Sequence, residues 1–521
     1  MKDLPAGASR AISRLGHRRG LCSGRRDGYD CVMIRRVLFI AFVAALLGGC
    51  EKPVSFPAES LSEVAQAAGA WRAYDADGDK QADFFLLADG EGRVDRIAYD
   101  RTGDQRPDEV IGLDRIPMSQ CRHLVIILDG FAYDLVKAYR DEGHLRMFHP
   151  PSRLITVYPS MTDMCMEEIF NYVPCPAYEA LYFDRRRNKL VGGSLAYLQG
   201  RNEPFNRLLD YRADLLWDAI GYVYPWEVFG KEVNDVKRQF DRMKTQEMIA
   251  YFVSSAGVGT IRGAEGQRAC LAKVEQFVHQ VLFETHGLVK ITLLSDHGHT
   301  YTPGKRIPLE GFLTDRGWRL TESLSKPRDV VYIRFGLVTY ASFATNSPAD
   351  LAADLVGCEG VELASYAQGD AVVVLAPPKQ KAIVRRKGGR YGYEMVSGDA
   401  LRMKDVMGKL AGKDGFCEGQ ELLTATADHV YPAALERLHR AHFSLVQNPP
   451  DVVASLGDKW YSGSTSFGGA VTIASTHGSL NYTNSVTFIM STAGALPAVM
   501  RSREVSEALK KATGLPFPNW R

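Results

Sequence analysis

The chain has 521 residues, of which 45% are hydrophobic and 24% are charged, and its formal net charge is +2. This length exceeds one ordinary domain and is ample for a large core. The nearly balanced charge gives no reason to expect a nucleic-acid partner, and the apolar content excludes a largely disordered chain.

The first segment with a clear pattern is typical of export. The stretch "MIRRVLFIAFVAALLGGC" starts at Met33, places two arginines before a short apolar run, and ends at Cys50. A charged start, a short apolar core and small residues at the end are typical of a secretory signal rather than a membrane span. The last residues, "LLGGC", resemble a bacterial lipobox. They predict a lipid on Cys50, which anchors a protein to a membrane without spanning it.

This interpretation makes residues 1–49 an upstream extension and a lipoprotein signal, with a short membrane anchor as the alternative. The predicted location is the periplasmic side of a bacterial membrane. Glu51 is not the aspartate that commonly marks inner-membrane retention, so the outer membrane is preferred. In such an oxidising compartment the later cysteines favour disulfides, and Cys165 with Cys175 is the best local pair.

Residues 50–118 are predicted to hold a linker, over 51–70, and then an Asp-rich repeat. The repeat is "YDADGDKQADFF", from Tyr74, followed by "YDRTGDQRPDEV", from Tyr99. Carboxylates at alternate positions around a glycine can surround calcium, as in an EF-hand loop, although the EF-hand's own glycine and last glutamate are missing here. Solvated turns between short strands are the alternative. The candidate calcium ligands are Asp75, Asp77, Asp79 and Asp83.

From residue 119 onward the pattern predicts an α/β domain. The stretches "HLVIILDG", "RLITVYPSMT", "MIAYFVSS", "KITLLSDHG" and "AVTIASTHG" are short β-rich apolar runs that end in small or polar residues. Such runs, separated by helical stretches, favour a mostly parallel central sheet with helices on both faces. Residues 119–329 and 430–521 are assigned to this catalytic core, and residues 330–429 to a small inserted α+β cap.

Four of the predicted strand ends carry chemically reactive residues. They are Asp129, Thr162, the pair Asp296 and His297, and His477. Taken singly, Asp129, Thr162 and His477 have ordinary explanations as a turn, a helix N-cap and a core histidine, whereas "SDHGH" is more specific by itself. Together they would meet beyond the carboxyl ends of the strands, where open α/β sheets place their sites. Carboxylates and imidazoles suit a divalent metal such as zinc, which can activate an alcohol that is otherwise a poor nucleophile.

These strand ends resemble the alkaline phosphatase superfamily, specifically its nucleotide pyrophosphatase and type I phosphodiesterase branch. The resemblance runs from about His123 to Thr492 and rests on "ILDG", "YPSMT", "SDHG" and "STHGSLNYTNSVTF". It implies a hydrolase of phosphate esters, such as nucleotides or lipids, with Thr162 as its nucleophile. It also implies that one metal is held by Asp129, Thr162, Asp296 and His297.

The chain departs from this family at the second metal. There the family uses the histidine that corresponds to His477 together with an Asp-x-x-x-His pair, but the stretch "YFVSSAGVGTIRG" has Ala256 and Thr260 at those positions. His299 is a further candidate ligand, so one or two zinc ions are expected. After the nucleophile, the family's Phe-Pro-Asn is replaced by Asp-Met-Cys at residues 163–165.

The altered second site leaves other functions open. A transferase would pass the phosphoryl group to an acceptor other than water, and a degenerate member would act as a periplasmic binding or scaffold protein. The run of arginines at 185–187 could meet an anion, although a solvated turn explains it equally well.

Overall fold

The computed structural model describes residues 54–66, 69–214, 217, 221, 223–464 and 473–518. The predicted signal and Cys50 lie outside these residues. Within the described ranges, none of the helices combines the length and the apolar character that crossing a bilayer requires.

The Asp-rich repeat belongs to a five-stranded antiparallel sheet, ordered as in the sequence. Its strands are β1 (Ser62–Gln66), β2 (Gly69–Tyr74), β3 (Phe84–Ala88), β4 (Val94–Tyr99) and β5 (Glu109–Gly112). The predicted linker over 51–70 is therefore wrong for its described part, since β1 and the start of β2 lie in it. Val54 and Phe56 are also buried there, and the Phe56 ring lies 5.3 Å from that of Tyr74.

A seven-stranded sheet forms the centre of the molecule. Its strands are β6 (Arg122–Leu128), β7 (Ser152–Ile155), β10 (Tyr211–Arg212), β11 (Glu247–Phe252), β12 (Val289–Ser295), β25 (Val486–Ser491) and β26 (Val499–Arg501). They are ordered β10-β11-β6-β12-β25-β7-β26. Every neighbouring pair is parallel except the two that involve β25, which runs against the others.

Both faces of this sheet are buried under helices, as β6 shows. Leu124, Ile126 and Leu128 belong to one hydrophobic cluster, whereas Val125 and Ile127 belong to another. Alternate residues of a strand point to opposite faces, so the continuous apolar run over 124–128 needs cover on both sides. The predicted α/β class is confirmed.

Twelve helices lie in the described ranges. They are α1 (Tyr133–Asp141), α2 (Thr162–Phe170), α3 (Ser194–Leu198), α4 (Pro225–Arg242), α5 (Ser254–Glu284), α6 (Leu309–Asp315), α7 (Pro348–Leu355), α8 (Lys404–Leu410), α9 (Gly419–Ala425), α10 (Ala434–Phe443), α11 (Tyr482–Ser485) and α12 (Val505–Thr513). Helices α1, α4 and α5 contribute to the first cluster, and α2 and α12 to the second.

A nine-stranded sheet follows the central one in the chain. Its strands are β14 (Arg319–Leu320), β15 (Asp329–Ile333), β17 (Tyr340–Thr345), β18 (Val361–Gln368), β19 (Ala371–Ala376), β20 (Gln380–Lys387), β21 (Arg390–Ser397), β22 (Phe416–Glu418) and β23 (Val452–Leu456). All its pairings are antiparallel except β14 with β15. This sheet extends past both ends of the predicted insertion, because β14 precedes residue 330 and β23 follows residue 429.

Two small sheets complete the described strands. They comprise β8 (Leu181–Asp184) with β9 (Lys189–Gly192), and β13 (Lys305–Arg306) with β16 (Leu337–Val338) and β24 (Trp460–Gly463). The strand predicted at "AVTIASTHG" is absent from its described part, because residues 473–478 form a loop.

Candidate active site

Asp129, Asp296 and His297 form a buried cluster at one edge of the central sheet. Asp129 directly follows β6 and Asp296 directly follows β12. The two strands are parallel neighbours, and Leu128 is paired with Ser295, so the next residues of each strand lie side by side. Nε2 of His297 is 3.4 Å from Oδ1 of Asp129 and 3.5 Å from Oδ2 of Asp296. One ligand atom from each residue lies within 4.8 Å of the other two, which is close enough to share one metal ion.

Thr162 reaches the same place from a different element. It is the first residue of α2, and its side chain is half-buried. Its Oγ1 lies 3.2 Å from Nε2 of His297. The structure therefore brings together all four residues that the sequence assigned to the first metal.

Glycine at two positions allows this close packing. Gly130 has a φ of 80°, and a Cβ there would lie 2.6 Å from the ring of His299. A Cβ on Gly298 would lie 1.9 Å from the carbonyl oxygen of Thr483. Since side chains fit at neither position, the glycines of "LDG" and "DHG" are needed for the two turns that present the ligands.

The protonation states of the cluster suit a divalent cation. Burial lowers the pKa of His297 to about 4, so its ring is neutral near pH 7. Its Nδ1 donates to the Gly298 carbonyl at 3.0 Å, which leaves the Nε2 lone pair facing the cluster. Burial raises the pKa of Asp296 to about 6, and in the described structure its Oδ2 has no hydrogen-bond partner. Two carboxylates and a neutral imidazole oriented in this way match the ligands and outer hydrogen bonds of zinc sites.

Three supporting residues were missed by the sequence analysis. The Tyr251 hydroxyl donates to Oδ2 of Asp129 at 2.5 Å. The Ser255 hydroxyl donates to the Asp129 carbonyl at 2.9 Å, and Nε2 of Gln267 donates to the Gly130 carbonyl at 2.7 Å. A tyrosine within the apolar run over 248–253, in the strand next to β6, is the signal that would have pointed to Tyr251.

His477 lies next to the cluster, in the loop that replaces its predicted strand. Its ring stacks on that of His297 with centroids 3.9 Å apart and an interplanar angle of 15°. Its Nδ1 donates to the Ser160 carbonyl at 3.0 Å. Burial lowers the pKa of His477 to about 3, so this ring is also neutral near pH 7.

The second metal site of the resembled family does not fit the residues present. Ala256 and Thr260 lie in α5, where neither offers a carboxylate or an imidazole. His299 is fully buried, its Nδ1 is 3.0 Å from the Ser475 hydroxyl, and its ring centroid is 5.3 Å from that of His477. Across the described ranges, no cluster of three potential ligands includes His299 or His477.

The predicted disulfide is wrong. Each of the six cysteines in the described chain is a free, buried thiol. The Cys165 thiol is 2.6 Å from the Thr156 hydroxyl, and the Cys175 thiol donates to the Asp163 carbonyl at 3.3 Å. The two sulfur atoms therefore have different partners, although Cys165 lies in α2 and Cys175 follows that helix closely in the chain.

The Asp-rich loops are turns between strands, as the alternative interpretation expected. Asp75, Asp77 and Asp79 lie between β2 and β3 with carboxylate oxygens within 4.8 Å of one another. Asp83 is not part of this cluster, and its Oδ1 accepts the backbone N–H of Ala76 at 2.7 Å. In the loop between β4 and β5 a second cluster is formed by Asp100, Asp104 and Asp108. Calcium binding stays a prediction.

The arginine run at 185–187 also has a structural explanation. Arg185 pairs with Asp451 at 2.8 Å, and Arg187 pairs with Asp184 at 3.5 Å. The backbone N–H of Arg186 donates to the same Asp184 side chain at 2.9 Å. The two contacts of Asp184 lie within the tight turn between β8 and β9, and the Arg185 ion pair connects that turn to Asp451.

Comparisons with known proteins give no assignment. Neither a protein-family model nor a curated protein matches the chain. Structural comparison aligns it with murine and human ectonucleotide pyrophosphatase/phosphodiesterase 5, at TM-scores of 0.40 and 0.41 and identities of 11% and 10%. An inactive variant of the murine protein in complex with AMP aligns at a TM-score of 0.38 and 11% identity. Each alignment covers 76% of this chain and 95% of the other. Similarity at this level carries no conclusion about this chain.

Proposed function

We propose that the chain is a metal-dependent hydrolase of phosphate esters in which Thr162 is the nucleophile. The observation that carries the proposal is the position of Thr162 Oγ1, 3.2 Å from Nε2 of His297 and at the edge of a buried cluster with two carboxylates. A hydroxyl in such surroundings suits activation by a cation. A threonine that only capped a helix would not require two buried carboxylates and a buried imidazole beside it.

The residues that would hold the ion are Asp129, Asp296 and His297, with Thr162 as the fourth ligand. Zinc is the simplest choice for two carboxylates and an imidazole. A divalent ion bound there lowers the pKa of the Thr162 hydroxyl and offsets the negative charge of the phosphate.

The protein's own part is to position the reacting groups. Oγ1 of Thr162 attacks phosphorus, the bond from phosphorus to the ester oxygen breaks, and the alcohol leaves. Water then cleaves the phosphothreonine, which releases phosphate or a phosphomonoester and restores the hydroxyl. Because Thr162 begins α2, the free N–H groups of the first helical turn lie on the side where the anionic substrate would bind.

The test is hydrolysis of bis-p-nitrophenyl phosphate by two variants at Thr162. Thr162→Ala should lower kcat by roughly 1000-fold or more, since it removes the nucleophile. Thr162→Ser keeps a hydroxyl and should retain measurable activity. Far-UV circular dichroism and melting temperature serve as controls for folding. Full activity in Thr162→Ala would place the chemistry elsewhere, and an inactive wild type that binds zinc would favour a binding or scaffold role.

We further propose that Cys50 carries a lipid that anchors the chain to a bacterial membrane, facing the periplasm. The support is the lipobox-like "LLGGC" that follows a short apolar run. Cys50→Ser should move the protein from the membrane fraction to the soluble periplasmic fraction. Unchanged membrane association in that variant would refute the anchor.

A further inference from the structure

Arg437 is a buried arginine that donates its hydrogen bonds to carbonyl and hydroxyl oxygens. It lies in α10, its exposed fraction is 4%, and it forms no ion pair with any residue in the described ranges. Burial lowers its pKa to about 9, which still leaves the guanidinium protonated at neutral pH. Removing a charged guanidinium from water costs free energy, which its hydrogen bonds must offset. The groups that accept those bonds therefore indicate the structural role of Arg437.

The guanidinium joins two loops that border the candidate site. We call residues 156–161 the nucleophile loop, because Thr162 follows it, and residues 473–481 the histidine loop, because it carries His477. Nη2 of Arg437 donates to the Val157 carbonyl at 2.9 Å and to the Ser160 hydroxyl at 3.2 Å. Nη1 donates to the Leu480 carbonyl at 3.3 Å and to the Pro432 carbonyl, just before α10, at 3.2 Å. One side chain thus holds both loops.

The two loops also contact each other at the same place. The backbone N–H of Ser160 donates to the Gly478 carbonyl at 3.2 Å, and Nδ1 of His477 donates to the Ser160 carbonyl at 3.0 Å. His477 in turn stacks on His297, whose Nε2 faces Thr162. A shift of either loop would therefore move Thr162 relative to His297.

We propose that Arg437 is a positioning residue, whose guanidinium fixes the nucleophile loop against the histidine loop and so sets the position of Thr162 Oγ1. Its role in turnover rests on the function proposed above, whereas its role as a tether between the loops does not. The planar guanidinium presents two nitrogen atoms in fixed directions, one toward each loop. A lysine ammonium keeps the charge but not this geometry.

The first experiment measures the tether without using activity. Amide hydrogen exchange is followed by mass spectrometry in Arg437→Gln and Arg437→Lys. Peptides from the nucleophile loop and the histidine loop should both exchange faster than in the wild type, in both variants. The matched control is Arg440→Gln, one turn further along α10, which removes the ion pair with Glu168. This control should leave both loops protected.

The second experiment measures turnover of bis-p-nitrophenyl phosphate. Misplacement of a reacting group by about 1 Å can cost about 100-fold in rate, so kcat should fall by up to that factor in Arg437→Lys. Zinc content should stay unchanged, because Arg437 contacts none of the metal ligands. Added guanidinium should restore part of the rate in Arg437→Ala, since a cavity beside Arg437 borders the space that the side chain vacates.

Several results would overturn the proposal. Normal protection of both loops in Arg437→Lys would refute the tether, and so would exchange that rises equally in Arg440→Gln. Full activity of Arg437→Lys would show that the charge alone matters. Should Arg437→Gln fail to fold, Arg437→Lys gives the same comparison with the charge retained. If the wild type hydrolyses nothing but the loops still open in the variants, the proposed function fails and the tether stands.

Discussion

The two halves of the candidate site differ in how completely they are built. In the first-metal half, Asp129, Asp296 and His297 all have ligand atoms within reach of one ion, and hydrogen bonds from neighbouring groups orient them. In the second-metal half, the resemblance assigns the ligand positions to Ala256 and Thr260, whose side chains offer neither a carboxylate nor an imidazole. A metal site depends on its outer support nearly as much as on its ligands. This difference is the basis for the proposal that the chain holds a single metal position.

The largest expected effect distinguishes the roles of His297 and His299, which are two residues apart. His297→Ala should abolish tight zinc binding, because it removes a ligand from the only three-ligand cluster at this sheet edge in the described structure. His299→Ala should keep one zinc per chain, because His299 belongs to no such cluster. Elemental analysis of the purified variants measures both outcomes. The same analysis counts calcium, which tests the Asp-rich loops separately.

His299→Ala is the informative member of this pair. The two residues are equally buried and lie in the same loop, so a general loss of packing would affect both variants alike. If His299→Ala also lost its zinc while keeping its fold, the metal would lie between the two halves. The assignment of the first-metal half would then be wrong.

A smaller effect is expected at Tyr251. Its hydroxyl donates to Asp129 at 2.5 Å and is fully buried, so Tyr251→Phe removes one hydrogen bond with little change in shape. Loss of an outer-shell partner typically costs about 10- to 100-fold in metal affinity. Zinc affinity, measured by competition with a chelating dye, should fall within that range. An unchanged affinity would show that the carboxylate of Asp129 is held without Tyr251.

The sequence predicts those site residues whose positions follow from their immediate neighbours in the chain. Asp129 and the Asp296–His297 pair each end an apolar run, and parallel neighbouring strands bring such ends together. The supporting residues cannot be found this way, because their partners are distant in the chain. Tyr251 is 122 residues from Asp129, and Arg437 is 280 residues from Val157. Nothing in local periodicity encodes those pairings.

The wrong predictions have the same origin. "AVTIASTHG" has the composition of a strand, but the loop that holds His477 is fixed by Ser160 and by the ring of His297 instead. Phe56 lies in a segment too short for a recognisable period, and its burial comes from packing on the aromatic rings of β2 and β3. The disulfide was inferred from compartment and spacing, which say nothing about the direction of the sulfur atoms.

The last prediction concerns a double variant that adds two ligands to the second-metal half. Ala256 and Thr260 are four residues apart in α5, so their side chains lie on the same face of the helix. Ala256→Asp with Thr260→His should therefore raise zinc content from one to two per chain. The gain in turnover should be smaller than the losses above, because no hydrogen-bonding residues have been selected to orient the new ligands. Zinc should also raise the melting temperature of the double variant more than that of the wild type.

The single variants make this test discriminating. Ala256→Asp alone buries a carboxylate at a site that is 2% exposed, and should lower the melting temperature without adding a zinc ion.

In the wild type, slow release should let a phosphothreonine at Thr162 accumulate, because the water-activating position is incomplete. Intact-mass measurement after mixing with substrate would detect this species, and the double variant should contain less of it. Two zinc ions in the wild type would contradict the assignment of Ala256 and Thr260 and would point to a second site built from other residues.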